Sequence, residues 1–261
     1  MPAPFRRPGG RTIAGLLAAA AVGVALLRLG ADAGPAGAGG GAQALERLVR
    51  GALAPERSPA YLLTVAADAA VTAAYAVAAM SLATVAGLVA AVIASGVLLD
   101  GAWLRAGCRI VLALTRSAHE LVWALLFVAA MGLSPAAGVL AIAVPYAGVI
   151  GRVLGDRLRD VDPAPVRALA AAGASPLSRL FYGVVPQVAP DALGYLAYRL
   201  ECALRSAAVL SFVGLGGLGF RIELALRDLD YARAWTPIYA TLLLVVLVDW
   251  VGARTRRRFA R

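Results

Sequence analysis

The sequence contains no lysine, and it has only two cysteines, Cys108 and Cys202, and one histidine, His119. Without lysine the chain can form neither a Walker-type phosphate-binding loop nor a Schiff base, so any ATP-driven step requires another chain. Two cysteines and one histidine cannot build a Cys/His zinc site or a disulfide framework of any size. We therefore expect no metal and no bound cofactor. A membrane-embedded enzyme is also not indicated, because no convincing nucleophile and base are present.

Charge is scarce as well, since charged residues make up 15% of the chain. Hydrophobic residues make up 61%, and the mean hydropathy is +0.78, which is far too apolar for a soluble globule. The basic residues are all arginine, and the formal net charge is +10. A nucleic-acid-binding protein is excluded by where the arginines lie, in short clusters between apolar runs of membrane-spanning length. The sequence therefore predicts an integral membrane protein.

Six apolar stretches predict an all-α fold with about six transmembrane helices. The first stretch follows three arginines, which also fits a cleaved signal peptide, but its length favours a retained anchor. Residues 1–58 would hold this helix and an exposed extracytoplasmic linker, rich in Gly, Ala and Pro, that ends in an amphipathic piece at 44–53. Residues 59–261 would hold the other five helices. The predicted spans are 12–30, 61–99, 105–131, 136–153, 191–213 and 235–252.

The distribution of arginine predicts the orientation in the membrane. With six spans and both ends on one side, the segments on that side hold 15 arginines and the opposite segments hold six. Because basic residues accumulate in cytoplasmic segments, we expect both termini in the cytoplasm. The polar segment at about 155–190 would lie on the same side.

Within that segment, residues 162–190 predict two short helices. Asp162 can cap the first helix, with Pro163 in its opening turn, and Gly173 can end it. Ser175 can start the second helix, whose apolar residues fall on one face and which is expected to end at prolines. Spacing alone leaves two interpretations open, a docking element and an amphipathic loop that rests on lipid headgroups. The face comprises Leu177, Leu180, Phe181 and Val184, and the prolines are Pro186 and Pro190.

Three separate blocks resemble the permease subunits of bacterial ATP-binding-cassette (ABC) importers. The run R-A-L-A-A-A-G at 167–173, followed after nine residues by G-V-V-P at 183–186, is similar to their signature E-A-A-x-x-x-G-x9-I-x-L-P. The runs R-S-A-H-E-L-V-W-A-L-L-F-V and Y-R-L-E-C-A-L-R-S-A-A-V-L-S-F-V-G-L-G-G-L-G-F look like those of phosphonate importers in particular. The resemblance covers roughly residues 60–258.

The resemblance implies a type I importer permease in the bacterial inner membrane. Such a chain would pair with a second copy and bind two ATPase subunits, which bind the ATP. It would accept phosphonate or a related small oxyanion from an extracytoplasmic binding protein and pass it into the cytoplasm. The signature residues would couple ATP hydrolysis to transport through helices that dock on the ATPase. These coupling residues are Arg167, Ala168, Leu169, Gly173 and Pro186.

Two residues depart from the family pattern. Arg167 replaces a glutamate, which reverses a charge on the docking surface and puts the fit to the ATPase partner in doubt. His119 replaces a proline, so a helix that is normally kinked is expected to be straighter. An alternative function is a secondary transporter driven by an ion gradient, with Glu120 and Glu201 as proton relays, although no inverted repeat is visible.

Ionisable residues inside the spans are candidates for an anion path, because buried charge in a membrane is costly. Helical spacing predicts two i, i+4 pairs, Glu201 with Arg205 and Arg116 with Glu120. These residues and Arg199 could contact an anion, or they could simply hold helices together. The glycine-dense turn that contains Gly214, Gly216, Gly217 and Gly219 could form an outer gate or contact a binding protein, or be an ordinary loop. Asp68, Asp191 and Asp249 are expected to be solvated or capping.

Overall fold

The computed structural model describes residues 35–98, 101–211 and 214–259. Its regular structure in these ranges is helical, which confirms the all-helical prediction. The predicted first span, residues 12–30, lies outside the described residues. The chain divides into two units, one up to Leu53 and one from Ala54 onward. Helix α1 (Pro35–Leu53) belongs to the first unit and begins earlier than the amphipathic piece predicted at 44–53, within the stretch expected to be a linker.

Two long helices form the centre of the second unit. Helix α2 (Pro59–Ser95) has proline at its start and ends at Gly96, whose φ is +73°. Helix α5 (Pro135–Arg159) is capped by the Ser134 hydroxyl, which accepts a hydrogen bond from the Ala137 N–H. At about 1.5 Å per residue both exceed the roughly 30 Å hydrocarbon core of a bilayer.

Small residues let α2 and α5 approach closely. A Cβ atom on Gly87 of α2 would lie 2.7 Å from Cγ2 of Ile150 in α5, so only glycine fits there. On the α5 side, a Cβ on Gly155 would lie 3.3 Å from the carbonyl oxygen of Ala91. Apolar side chains gain little from leaving lipid, so close packing of small residues is the usual way that membrane helices associate.

The predicted helix at 105–131 is wrong, because the chain forms two helices there. Helices α3 (Ala102–Thr115) and α4 (Glu120–Met131) meet at an angle of 91°. His119 has extended backbone angles, φ −66° and ψ 150°, and its Nδ1 accepts a hydrogen bond from the Leu121 N–H. Histidine therefore caps α4 and keeps the break, so the expected straightening is also wrong.

Short helices follow α5. Helix α6 (Pro163–Ala171), the three-residue α7 (Pro176–Ser178) and a π-helical turn (Arg179–Val184) lead into the long helix α8 (Val185–Leu210). Helix α9 (Leu218–Arg227) is short, and α10 (Tyr231–Phe259) is long. The segment before α2 is tied to α10, because the Thr236 hydroxyl donates to the carbonyl oxygen of Glu56 at 2.7 Å.

Three helices among the described residues are long and apolar enough to cross a membrane: α2, α5 and residues Tyr231–Arg254 of α10. The bent pair α3 and α4 makes a fourth if it is counted as one crossing. Helix α8 has 26 residues, about 39 Å, but it is more polar because it carries Arg199, Glu201 and Arg205. It packs against α2, α5 and α10, and Glu201 is buried there, whereas Arg205 is exposed.

Candidate functional site

A helical hairpin, residues 162–187, follows α5 and includes the first residues of α8. One oxygen of the Asp162 carboxylate accepts a hydrogen bond from the Ala164 N–H at 2.9 Å and so caps α6. The first arm ends at Gly173, where φ is +81° and the Ala174 N–H donates to the carbonyl oxygen of Leu169 at 3.0 Å. This is a Schellman-type helix end. The predicted start at Asp162 and break at Gly173 are both confirmed.

The second arm does not end where the sequence predicts. The Ser175 hydroxyl caps it by accepting from the Ser178 N–H at 3.2 Å. The π-helical turn then continues directly into α8, and both Pro186 and Pro190 lie inside that helix. A π-helical turn has wider hydrogen-bond spacing than an α-helix, so the turn before Pro186 accommodates a residue without an N–H.

The π-helical turn also changes which apolar side chains are buried. Leu180 and Val184 are 5% and 1% exposed, whereas Leu177 and Phe181 are 55% and 60% exposed. The prediction that all four share one face is wrong, because the turn alters the angular offset between successive residues. Leu177 and Phe181 instead give the hairpin an outward apolar patch.

Gly183 and Gln187, which were not among the predicted site residues, hold the arms of the hairpin together. A Cβ on Gly183 would lie 3.1 Å from Leu169 Cδ1 and 3.2 Å from Val166 Cγ2, so glycine permits this contact. The Gln187 amide donates to the carbonyl oxygens of Asp162, at 3.3 Å, and Gly183, at 2.7 Å. Its own oxygen accepts from the Asp162 N–H at 3.0 Å. The sequence signals these two positions weakly, because Gly183 begins the G-V-V-P run of the signature and Gln187 directly follows its proline.

Most of the predicted coupling residues face outward. Arg167, Ala168, Gly173 and Pro186 are exposed, whereas Leu169 is half-buried against Gly183. A hairpin with capped arms and an internal amide clasp is a preorganised surface, and such a surface loses little entropy on docking.

A cluster of tyrosines surrounds Arg199 in the second half of α8. The Arg199 Nε donates to the Tyr195 hydroxyl at 2.9 Å. Its guanidinium carbon lies 5.3 Å from the ring centroid of Tyr195, 5.7 Å from that of Tyr146 and 5.9 Å from that of Tyr198. These are cation–π distances, and together with the hydrogen bond they fix the guanidinium in place.

A hydrogen-bonded chain connects this cluster to α4. The Ser206 hydroxyl lies 3.1 Å from the Tyr146 hydroxyl and donates to Glu120 Oε1 at 2.7 Å. The second oxygen of Glu120 lies 3.7 Å from His119 Nε2. The predicted i, i+4 pair of Arg116 and Glu120 is wrong, because the helix break separates them and Glu120 bonds to α8 instead.

The other predicted ion pair, Glu201 with Arg205, stays a prediction. Glu201 and Arg205 lie one turn apart in α8, but Glu201 is 8% exposed and Arg205 is exposed. Among the candidate path residues, Arg199 and Glu120 lie in one connected network, through Tyr146 and Ser206.

The glycine-dense turn is anchored to α2. The Tyr75 hydroxyl donates to the carbonyl oxygen of Leu215 at 3.0 Å, and the Leu218 N–H donates to the Thr72 hydroxyl at 3.0 Å. Positive φ angles of 93°, 79° and 87° explain three of the glycines, whereas Gly219 lies inside α9. The three are Gly214, Gly216 and Gly217.

An ion pair strengthens this attachment. The Arg221 Nε lies 2.7 Å from a carboxylate oxygen of Asp68, which is not solvated or capping as expected. This hydrogen bond raises the pKa of Arg221 above its ordinary value. Asp191, also expected to be solvated or capping, is largely exposed but pairs with Arg157 at 2.7 Å.

The chain belongs to the family described as binding-protein-dependent transport system inner membrane component, whose model matches residues 83–261. It is therefore a multi-pass protein of the inner membrane and a transport component.

Several relatives with curated names are transport permeases. The chain is 39% identical over 147 residues to a putative phosphite transport system permease protein of Stutzerimonas stutzeri, over 56% of each chain. It is 35% identical to a phosphate-import permease protein of Mycolicibacterium smegmatis, over 59% of this chain and 29% of that one. A putative cryptic phosphonate transport system permease protein of Escherichia coli K12 is 33% identical, over 46% of this chain and 98% of that one. The chain spans about half the length of the first relatives it matches.

Solved structures confirm the fold. An inward-facing structure of the MetNI methionine ABC transporter matches with a TM-score of 0.67 at 18% identity, over 78% of this chain and 100% of that one. A chain of an amino acid ABC transporter matches with a TM-score of 0.62 at 17% identity, over 77% of this chain and 94% of that one. The helical importer-permease fold implied by the coupling signature is confirmed.

Proposed function

We propose that this chain is the transmembrane subunit of an ABC importer for phosphonate or a related small oxyanion of phosphorus. The observation that carries the proposal is the family match together with relatives that are named for phosphite, phosphate and phosphonate transport. A separate ATPase binds and hydrolyses ATP, and the chain itself catalyses no reaction. An extracytoplasmic binding protein delivers the oxyanion.

The hairpin is the docking element for the ATPase. Its exposed residues include Arg167, Ala168, Gly173 and Pro186, and Leu177 and Phe181 add apolar surface. Leu169 contributes from inside, because it packs the first arm onto Gly183. Closure of the ATPase would move the hairpin as one body, and the Arg157–Asp191 ion pair ties the end of α5 to α8 beside it. Movement of the hairpin would therefore move α5 and α8.

The functional unit is a homodimer with two ATPase copies. Large apolar side chains remain exposed along α3, α4 and α10, which suits contact with lipid and with a second copy. The excess of arginine in alternate segments supports cytoplasmic termini and a cytoplasmic hairpin. The glycine-dense turn then lies on the outer side, where it would act as a gate or contact the binding protein.

Substitution of Ala168 by arginine tests the docking role. Ala168 is exposed in α6, so the variant keeps the fold while it places bulk and charge on the docking surface. We expect loss of ATPase co-purification and at least a tenfold loss of ATP-dependent uptake. Ala136→Arg, exposed in the first turn of α5 and about 35 Å from the hairpin end of that helix, is the matched control. Normal co-purification and uptake of a folded Ala168→Arg variant would refute the proposal.

A further inference from the structure

Arg199 differs from the other two candidate arginines in how it is held. Arg116 and Arg205 are exposed, whereas Arg199 is half-buried among three tyrosine rings. The ion pairs found in the described part of the chain do not include Arg199. A cation fixed among apolar helices without a carboxylate partner favours an anionic ligand, because the low dielectric strengthens that attraction.

The hydrogen bonds of Arg199 leave a defined set of donors. Its Nε donates to the Tyr195 hydroxyl, so the terminal edge of the guanidinium, formed by Nη1 and Nη2, carries the remaining N–H groups. This edge presents two parallel N–H groups, which match two oxygens of a tetrahedral oxyanion. The tyrosine rings fix the plane of the group and therefore the direction in which the edge points.

The neighbouring chain of hydroxyls presents acceptors rather than donors. Ser206 has one hydroxyl proton and gives it to Glu120, so Tyr146 must donate in its 3.1 Å contact with Ser206. The remaining lone pairs of the Tyr146 oxygen and the second oxygen of Glu120 are then acceptors only. The side chain of Glu120 is 21% exposed, so this oxygen is not sealed in the core.

We infer that Arg199 with the Tyr146–Ser206–Glu120 chain forms a transit site for a tetrahedral oxyanion that retains a proton. The arginine holds the two unprotonated oxygens, which share the negative charge, and the acceptor chain takes a hydrogen bond from a P–OH group. Hydrogen phosphite and the monoanion of an alkylphosphonate meet both requirements. Sulfate has no proton to donate and is repelled by the Glu120 carboxylate. This inference deepens the proposed function and rests on it.

A binding titration of the purified full chain in detergent tests the site without its partners. Methylphosphonate, phosphite and sulfate are the probes, and the thermal unfolding midpoint is the readout. We expect methylphosphonate and phosphite to raise the midpoint at concentrations at least tenfold below those that sulfate needs. Arg199→Gln should remove the effect, and Glu120→Gln should bring sulfate to within about threefold of phosphite. Equal responses to phosphite and sulfate, or normal binding by Arg199→Gln, would overturn the inference.

Arg254→Gln is the matched control, because the Arg254 guanidinium also lies over an aromatic ring, 5.1 Å from the centroid of Trp250. This variant should bind all probes like the unaltered chain. If Arg199→Gln does not fold, Tyr195→Phe provides the test, because it removes the hydroxyl that holds the Arg199 Nε in place. A fivefold or greater weakening of phosphite binding by Tyr195→Phe supports the site, and unchanged binding overturns it.

A transport measurement on the full complex distinguishes a role of Arg199 in the anion path from a structural role. We expect Arg199→Gln to lower the uptake of methylphosphonate per ATP hydrolysed at least tenfold while ATPase co-purification is retained. A parallel loss of uptake, hydrolysis and co-purification would overturn the path role. If the unaltered complex shows no ATP-driven uptake, the proposed function fails, but Arg199-dependent binding in the titration remains a separate result.

Discussion

Leu229 ends α9 in the left-handed conformation, with φ +55°, although its side chain is 64% exposed. This conformation costs an L-residue about 1–2 kcal/mol, and an exposed side chain recovers little of it by packing. We predict that Leu229→Gly stabilises the protein by about 0.5–1 kcal/mol, seen as a higher unfolding midpoint in detergent. Leu226→Gly, in the helical part of α9, should destabilise by about 1 kcal/mol. A lower midpoint for Leu229→Gly would contradict this explanation.

Arg167 places a positive charge on the exposed arm of the hairpin. If it faces an acidic group of the ATPase, Arg167→Glu should weaken the complex about three- to tenfold at low salt, with Arg167→Gln intermediate. Raising the salt to 0.5 M should bring the three dissociation constants together, because salt screens exposed charges. The measurement is ATPase binding to the purified permease. Tighter binding by Arg167→Glu would mean that the partner retains a surface suited to the family's glutamate.

At the residue scale, the sequence predicts which side chains carry charge but not which of them meet. Tyr195 and Tyr198 are near Arg199 in the chain, and a helical α8 brings them close. Tyr146 and Glu120 come from α5 and α4, so their place in the cluster depends on tertiary packing that no spacing rule reveals. The predicted pair of Arg116 and Glu120 failed because the break between α3 and α4 separates the two side chains.

At the scale of the element, the break between α3 and α4 leads to a prediction about proline. His119 already has φ −66°, the angle that proline requires, and its ring accepts the capping hydrogen bond. His119→Pro should therefore change the unfolding free energy by less than about 1 kcal/mol, since only the cap is lost. Ala124→Pro, inside α4, should cost about 3 kcal/mol or more. The check is thermal or denaturant unfolding of both variants, and a large loss for His119→Pro would refute the interpretation of the break.

The sequence predicted helix starts and ends well where a capping side chain or a glycine determines the backbone conformation. Asp162, Gly173 and Ser175 act as their chemistry indicates. Pro186 did not end its helix, because a π-helical turn relieves the missing N–H, and such a turn depends on packing against α6. The bend at 91° was missed because apolar residues continue on both sides of it.

At the scale of the whole molecule, the arginine distribution predicts the side of the membrane for each loop. In a chain whose Cys108 and Cys202 are replaced by serine, a new cysteine at Ala168 should face the cytoplasm and one at Leu226 the outside. Both positions are exposed. A membrane-impermeant maleimide added to intact cells should label Leu226→Cys at least tenfold faster than Ala168→Cys, and permeabilisation should equalise the rates. The reverse order would invert the topology.

ATP-driven import is tested most directly by methylphosphonate uptake into proteoliposomes that contain this chain and its ATPase. We predict that uptake requires both ATP on the hairpin side and the loaded binding protein on the other side. It should be lost in Ala168→Arg and retained in Ala136→Arg. Uptake that continues without ATP and instead follows an imposed proton gradient would contradict the importer function and support a secondary transporter.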